Sequence, residues 1–431
     1  MINQLVRRVR PCALSLLGLL AASTEADSQS IAQRVRSAGD AEVRLAYATR
    51  NGVCGDGANI VAFAEVLYIY PSMESYGRWS GVDCRHGEAR VALTVRGGEV
   101  EVIRTRVGGS WRQSNGRVVD LGTVPVAEAA RYFLALAEQV DGKQARNTLL
   151  PAVIADSVDV VPDLRRLAER TTAPREARKR AIHWMGMLGD RSLVAPLQRL
   201  AQADDDDDGI AEAALFALAH LADDAGIPTL VELARSDRSI ELRRKAVFWL
   251  GMSGSEKGRG EVRDIAADER QPETLRAHAA FSLAQGDGAT SEDFAFLRSL
   301  FDRTTSAEVA EQILLGVSQR GSEADDRWLL EVARDEKRSV EVRKKAVFWA
   351  GQGEAPIADL VRLYDDLRDG ELKEHLIFVL AQRDERAAID KLVSIARSDR
   401  DRELRKKALF WLGQKDDPAV TRMIADMVTK P

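Results

Sequence analysis

The chain has 431 residues, 45% hydrophobic and 30% charged, enough for an ordered protein of two or three domains. Its 62 basic and 67 acidic residues leave a net charge of −5, which excludes a global attraction to nucleic acid or an anionic membrane. Three cysteines and five histidines, none in a metal-ligand spacing, argue against a metal centre.

Residues 1–26 read as a secretory signal peptide. Arg7, Arg8 and Arg10 form a basic start, and Cys12 to Ala22 is an apolar run too short to span a bilayer. Cleavage is expected after Ala26 or Ser23, with export to the periplasm or the extracellular space. No later segment is long and apolar enough to cross a membrane. In an exported chain the remaining pair, Cys54 and Cys84, reads as one disulfide. A loop of that length stabilises a small domain by roughly 3 kcal/mol in the chain-entropy picture.

Residues 27–140 read as a small β-rich (α+β) domain. A short helix is expected over Ser30–Ser37. Strands are expected over Val43–Thr49, Ile60–Tyr70, Arg90–Arg96 and Glu99–Val107. Gly97-Gly98 joins the last two as a hairpin. A helix over Val126–Gln139, capped near Thr123, closes the domain. The Gly52–Gly57 run lacks the Lys-Ser/Thr ending of a phosphate loop, so it reads as a turn.

Residues 141–431 repeat themselves. Glu241-Leu-Arg-Arg-Lys-Ala-Val-Phe-Trp-Leu-Gly251 returns at Glu341–Gly351 and Glu403–Gly413, with an earlier relative at Glu176–Gly186. One small-residue ladder runs Ala181, Ala214, Ala246, Ala279, Ile313, Ala346, Leu376, Ala408. A second precedes it: Leu164, Leu197, Leu230, Val262, Leu297, Leu329, Leu360, Leu392. Each unit is then a helix A, a turn and a helix B, and a fixed period of this size marks a stacked array. A further helix is expected at Pro418–Val428. The Asp204–Asp208 run is expected to be a solvated turn ahead of a helix.

The Leu/Val-Arg pair and the Ala-aliphatic-x-x-Leu-Gly after it carry a resemblance to a known family. They stand as Leu242-Arg243…Ala246-Val247…Leu250-Gly251, Val342-Arg343…Ala346-Val347…Gly351 and Leu404-Arg405…Ala408-Leu409…Leu412-Gly413. The pattern resembles HEAT repeats, in the short form of the phycocyanobilin lyases, over about residues 160–431. The resemblance implies a mainly α fold: a right-handed α-solenoid of about eight helix pairs used for protein binding. It carries over no lyase chemistry, because the array has no bilin-binding cysteine. Ala211 and Ala310 depart from it at the Arg position.

Counting helix B from Leu242 as zero, positions 0, 4, 5, 8 and 9 form the buried half of the wheel. The motif Trp residues read as packing between repeats, and the position-one Arg residues as partners of the turn acids. Positions two, three, six and ten share the other half, which such a fold turns to its concave side. Position six gives Phe216, Phe248, Phe281, Phe348, Phe378 and Phe410. Position ten gives Gln285, Gln319, Gln352, Gln382 and Gln414, and position three gives Lys245, Lys345 and Lys407. Phenyl rings supply apolar anchors, glutamines bond an extended backbone, and lysines meet acidic groups. The competing expectation is that these rings are packed away between helices.

No His-Glu-x-x-His, Gly-x-Ser-x-Gly or Walker motif occurs. No catalytic residue, metal or cofactor is therefore expected. The reading is an exported, non-catalytic scaffold that binds a protein or peptide, not nucleic acid, in the groove. Two alternatives stand beside it. One is an enzyme seated in the N-terminal domain. The other is an anionic-polymer or envelope-binding module using the basic strip Arg178–Arg180, Arg243–Lys245, Arg343–Lys345 and Arg405–Lys407.

Overall fold

The computed structural model describes residues 29–58, 60–63, 66–69, 74–76, 84–140, 147–203, 208–285, 288–353 and 355–415. The expected signal peptide, most of the Asp204–Asp208 turn and the Pro418–Val428 helix lie outside the described residues. The chain divides into two compact units, one up to Met185 and one from Gly186.

The first unit opens with α1 (Ile31–Ser37), where Ser30 and Gln33 form a reciprocal capping box. Among the described residues eight strands follow: β1 (Ala41–Tyr47), β2 (Cys54–Gly55), β3 (Ile60–Phe63), β4 (Val66–Ile69), β5 (Glu74–Tyr76), β6 (Ala89–Arg96), β7 (Glu99–Val107) and β8 (Val118–Thr123). They form two sheets, ordered β7-β6-β1-β8 and β2-β3-β4-β5. In β1 and β6 alternate residues point inward: Val43, Leu45 and Tyr47 face the core with Val91, Leu93 and Val95. Gly97 and Gly98 both have positive φ, as the expected tight hairpin needs. Cys54 and Cys84 are joined by a disulfide.

The sequence run Ile60–Tyr70 was expected as one strand. It is instead the pair β3 and β4, antiparallel, with Ile60 opposite Ile69. Helix α2 (Val126–Ala137) starts behind Pro125 with no side-chain cap, so Thr123 does not fill that role; it ends β8. The short α3 (Leu149–Val153) is tied to β1 by the buried Tyr47 hydroxyl, which donates to the Pro151 carbonyl at 2.8 Å.

Helix pairs then succeed one another in A–B order. They are α4 (Val161–Glu169) and α5 (Arg175–Leu188), α6 (Val194–Gln202) and α7 (Asp208–His220), α8 (Ile227–Arg235) and α9 (Ile240–Met252), and α10 (Glu256–Ala267) and α11 (Glu273–Leu283). After them come α12 (Ser291–Arg303) and α13 (Ala307–Gln319), α14 (Glu323–Arg334) and α15 (Val340–Gln352), α16 (Ile357–Asp366) and α17 (Gly370–Ala381), and α18 (Arg386–Ser398) and α19 (Arg402–Gly413). Each of the eight units read from the two ladders is one of these pairs. All sixteen ladder residues, from Leu164 and Ala181 to Leu392 and Ala408, are fully buried at 0% exposure. The ladders are the core, and the helices stand where the 3.6-residue period puts these positions inward.

Ser or Asp residues in the turns start several B helices. Ser239, Ser306 and Ser339 accept from the backbone N–H three residues on, as does Asp369. The position-one arginines close the other side of the turn. Arg178, Arg243, Arg276 and Arg343 donate Nε to Ala168, Ala234, Ala266 and Ala333, all carbonyls in the last turn of helix A. The expected Asp partners are thus replaced by helix C-terminal carbonyls, which need donors and carry partial negative charge.

The motif glycines accept the neighbouring B helix. A Cβ on Gly251 would lie 2.9 Å from the Ser282 carbonyl oxygen, and one on Gly186 would lie 2.6 Å from Ala217 Cα. On Gly351 it would meet the Val379 side chain at 2.1 Å. Position nine of one pair therefore fits position seven of the next.

Candidate functional site

The B helices α7 to α19 carry the residues singled out for binding. Phe216, Phe248, Phe281, Phe348 and Phe378 are half-buried, and Phe410 is 58% exposed. Phe216 is stacked face-on against His220 at 4.1 Å. Phe248 stands edge-on to Trp249 at 5.2 Å, Phe348 to Trp349 at 5.0 Å and Phe410 to Trp411 at 5.3 Å. Two of the Trp rings also reach the preceding pair: Trp249 meets Phe216 at 5.2 Å and Trp411 meets Phe378 at 5.3 Å. Trp249 Nε1 donates to Glu212 at 2.6 Å, which fixes that ring between two helices.

Beside the rings runs the glutamine row. Gln319, Gln352, Gln382 and Gln414 are exposed and Gln285 is half-buried. The Gln285 amide donates to the Gln319 amide oxygen of the next pair. On the other side Lys345 and Lys407 are answered by acids one pair earlier. Lys345 pairs with Glu311 at 3.3 Å and Lys407 with Glu374 at 2.6 Å. Lys344 bridges Glu341 at 3.0 Å and Glu371 at 2.7 Å, and these bonds hold its pKa above the usual lysine value. The basic strip is thus interleaved with carboxylates along these repeats, a feature that counting only the lysines and arginines missed. Glu311 and Glu374 both stand at position two and could have been found there.

Sequence reasoning also passed over the part played by the histidines. His278 lies 6.3 Å from Phe248, and His375 lies between Phe348 at 6.4 Å and Phe378 at 6.0 Å. Burial pushes both imidazoles below their ordinary pKa, helped by the positive charges of Arg244 and Lys344. Both rings are therefore neutral at pH 7 and behave as part of the aromatic file.

The face opens into a cleft of about 890 Å³ over α15, α17 and α19. It is lined by His375, Phe378, Phe410 and Trp411 together with the Lys344–Glu371 and Lys407–Glu374 pairs. Such an arrangement can bury an apolar side chain and bond a neutral polar backbone. A separate cavity of about 530 Å³ lies in the first unit, against Arg36, Glu99, Glu101 and Tyr132. Burial pushes the Tyr132 hydroxyl well above its ordinary pKa, and the cavity lining holds no Ser, Cys or His. Among the described residues no group of three or more His, Cys, Asp and Glu side chains is placed to hold a metal ion, and no helix is long and apolar enough to cross a membrane.

HEAT repeats match the chain over residues 161–251 and 198–284. No curated protein matches it. Among solved structures it is similar to human deoxyhypusine hydroxylase at 20% identity, over 56% of this chain and 91% of that one, with a TM-score of 0.26. It is similar to the CpcE–CpcF complex of phycocyanin lyase from Nostoc at 18% identity, over 54% and 94%, with a TM-score of 0.28. Lipovitellin aligns over 78% of this chain and 40% of its own at 12% identity, with a TM-score of 0.46. The match over residues 161–284 falls on helix pairs whose buried ladders continue unchanged to α19, and the chain is a HEAT-like repeat protein.

Proposed function

We propose that this protein is an exported, non-catalytic scaffold that binds a protein or peptide segment along the B-helix face of its array. The single observation behind this reading is the file of partly open phenyl rings, Phe216 to Phe410, on a face where Lys345 and Lys407 are paired with its own carboxylates. An apolar file of this kind is rare on a surface that meets only water. Stacked repeat arrays use the extended surface of such helices to hold partners. The disulfide fits an oxidising compartment, which supports export.

The paired lysines also weigh against a polyanion partner. Binding through released counterions needs cations without internal partners, and it falls steeply as salt rises. Recovery of the partner is expected to hold between 50 and roughly 300 mM salt, beyond the range in which phosphate-type contacts are lost.

The test is recovery of partners from the source cells by the full chain and by a Phe248→Ser, Phe348→Ser, Phe410→Ser variant. Partner recovery is expected to drop by at least about tenfold, as when apolar anchors of an interface are truncated. Circular dichroism and the thermal midpoint report whether the array is still folded. A folded variant with undiminished recovery contradicts the reading.

A further inference from the structure

His375 is a titratable group set into the apolar lining of the cleft. Its ring lies between Phe348 at 6.4 Å and Phe378 at 6.0 Å, and it borders the space that Phe410 and Trp411 also line. Its Nε2 is buried and has no hydrogen-bond partner among the described residues. A neutral imidazole tolerates that setting with one lone pair unused. An imidazolium does not, because its second N–H is a charged donor that needs an acceptor or water.

The charges around the ring offer no spare acceptor. Glu341, Lys344 and Lys345 face it from α15, and Glu371 and Glu374 stand on its own helix. Glu403, Lys406 and Lys407 lie across the cleft on α19. Lys344 takes Glu341 and Glu371, Lys407 takes Glu374, and Lys406 takes Glu403. Lys345 takes Glu311. The A helices α16 and α18 pack on the other, buried side of α17. Burial and the Lys344 charge hold the imidazole below its ordinary pKa, against the pull of Glu341. The ring in place thus binds a proton less readily than the same ring in water. The arrangement is favoured above the ordinary imidazole value and is progressively lost as pH falls below it.

One carboxylate is within reach of a ring that turns outward. Glu371 stands four residues before His375, the spacing at which an acid and a cation meet along one helix face. It is exposed and shared with Lys344, which keeps Glu341 when Glu371 is taken.

We propose that His375 is an acid-operated gate of the cleft: at neutral pH its ring completes the apolar lining, and in acid the imidazolium turns out to Glu371, breaks that lining and releases a bound partner. The ring movement belongs to this face by itself. The release of a partner rests on the groove reading above.

The ring movement is read by NMR on the full chain, with isotope-labelled histidine and protonated phenylalanine in a deuterated background, from about pH 8 to about pH 4.5. His375→Phe identifies the His375 signal, and Phe348→Leu identifies its contact. The expected result is Overhauser contact from the His375 ring to Phe348 and Phe378 at neutral pH, lost as the ring titrates. Contact that persists in the protonated ring overturns the gate, and this reading is made on the wild-type chain.

The release is read by recovering partners from the source cells at about pH 7.5 and about pH 5. Recovery by the wild-type chain is expected to fall about tenfold in acid, as when an apolar anchor site is lost, and to hold within about twofold for His375→Phe, which keeps a ring and takes no proton. Where that variant does not fold, His375→Gln serves. Recovery that does not fall in acid, or falls equally in the folded variant, overturns the releasing role. Recovery undiminished in a folded Phe248→Ser, Phe348→Ser, Phe410→Ser chain contradicts the groove reading instead, and the Overhauser contacts still decide the ring movement.

Discussion

Replacing Asp293 by Ala is expected to destabilise the joint between the fourth and fifth helix pairs by about 3–5 kcal/mol, the usual effect of orphaning one member of a buried ion pair. Asp293 is 0% exposed and Arg259 is 1% exposed. The Arg259 guanidinium donates Nε and Nη2 to the carboxylate at 2.8 and 2.5 Å. It also donates to the Gly251 carbonyl at 2.7 Å and the Leu283 carbonyl at 2.6 Å. One cation thus closes the ends of α9 and α11 while Asp293, capped by Thr290, starts α12. Arg263 adds a bond to the other carboxylate oxygen at 2.9 Å. Removal of the carboxylate leaves the buried cation facing carbonyls alone, so loss is expected well beyond that of one surface pair. The double change Arg259→Met, Asp293→Leu is expected to cost less than Asp293→Ala.

The same joint has a definite pH dependence. Burial raises the Asp293 pKa, but the bonds from Thr290, Arg259 and Arg263 outweigh it and hold the pKa below the usual carboxylate value. A folded pKa below the unfolded one means stability that is present above the unfolded value. It is lost as pH falls through the folded value. Protection of the amides in α10 to α12, taken relative to their intrinsic exchange rate at each pH, is therefore expected to fall below the ordinary carboxylate range, and Asp293→Ala is expected to remove that acid dependence. Unchanged exchange in these helices on Asp293→Ala at neutral pH contradicts the assignment.

The second large effect separates two glycines that the motif makes equivalent. Gly251→Ala is expected to destabilise the chain by about 1–3 kcal/mol, the range for overpacking a closed contact. Its new methyl would meet the Ser282 carbonyl oxygen at 2.9 Å and the Ser282 Cβ at 3.1 Å, and backbone cannot rotate aside. Gly413 has no described atom within 4 Å of such a methyl. Gly413→Ala is expected to be neutral or to stabilise by up to about 1 kcal/mol, from helix propensity alone. Urea unfolding of both variants checks the contrast. Equal losses would mean that the glycine serves the helix and not the fit between pairs.

The array was legible because its core is written twice over. Leu164 to Leu392 and Ala181 to Ala408 recur at one fixed period, and a residue type that returns every pair at a helical spacing has one inward solution. Partners were less legible than positions. Arg243 was visible as a recurring residue, but its acceptor is a carbonyl, which every residue has and no sequence displays. The motif Trp residues were legible as packing between repeats, but the neighbours of the motif glycines were not: Ser282, Ala217 and Val379 each lie one pair away. In the first unit, β8 was missed: Val118–Thr123 is short, has mostly exposed side chains and pairs in parallel with β1 far away in the chain. The Arg259–Asp293 pair was missed too. Thr290-Ser-Glu-Asp293 has the form of a capping box and pointed to the carboxylate, but nothing in the sequence marked Arg259 as buried. For the binding face, the wheel found the Phe, Gln and Lys rows. A wheel of one helix could not supply the half-burial of the rings or the pairing of Lys345 and Lys407, since both depend on the neighbouring B helices.

The central claim is that the working surface is the B-helix face. It is tested most directly by placing the photo-crosslinker benzoylphenylalanine at position 348, on α15, or at position 362, on the exposed side of α16, in the full chain within its source cells. The account predicts a discrete adduct with a partner polypeptide from position 348 and none from position 362. Adducts from position 362 with none from position 348 would contradict it.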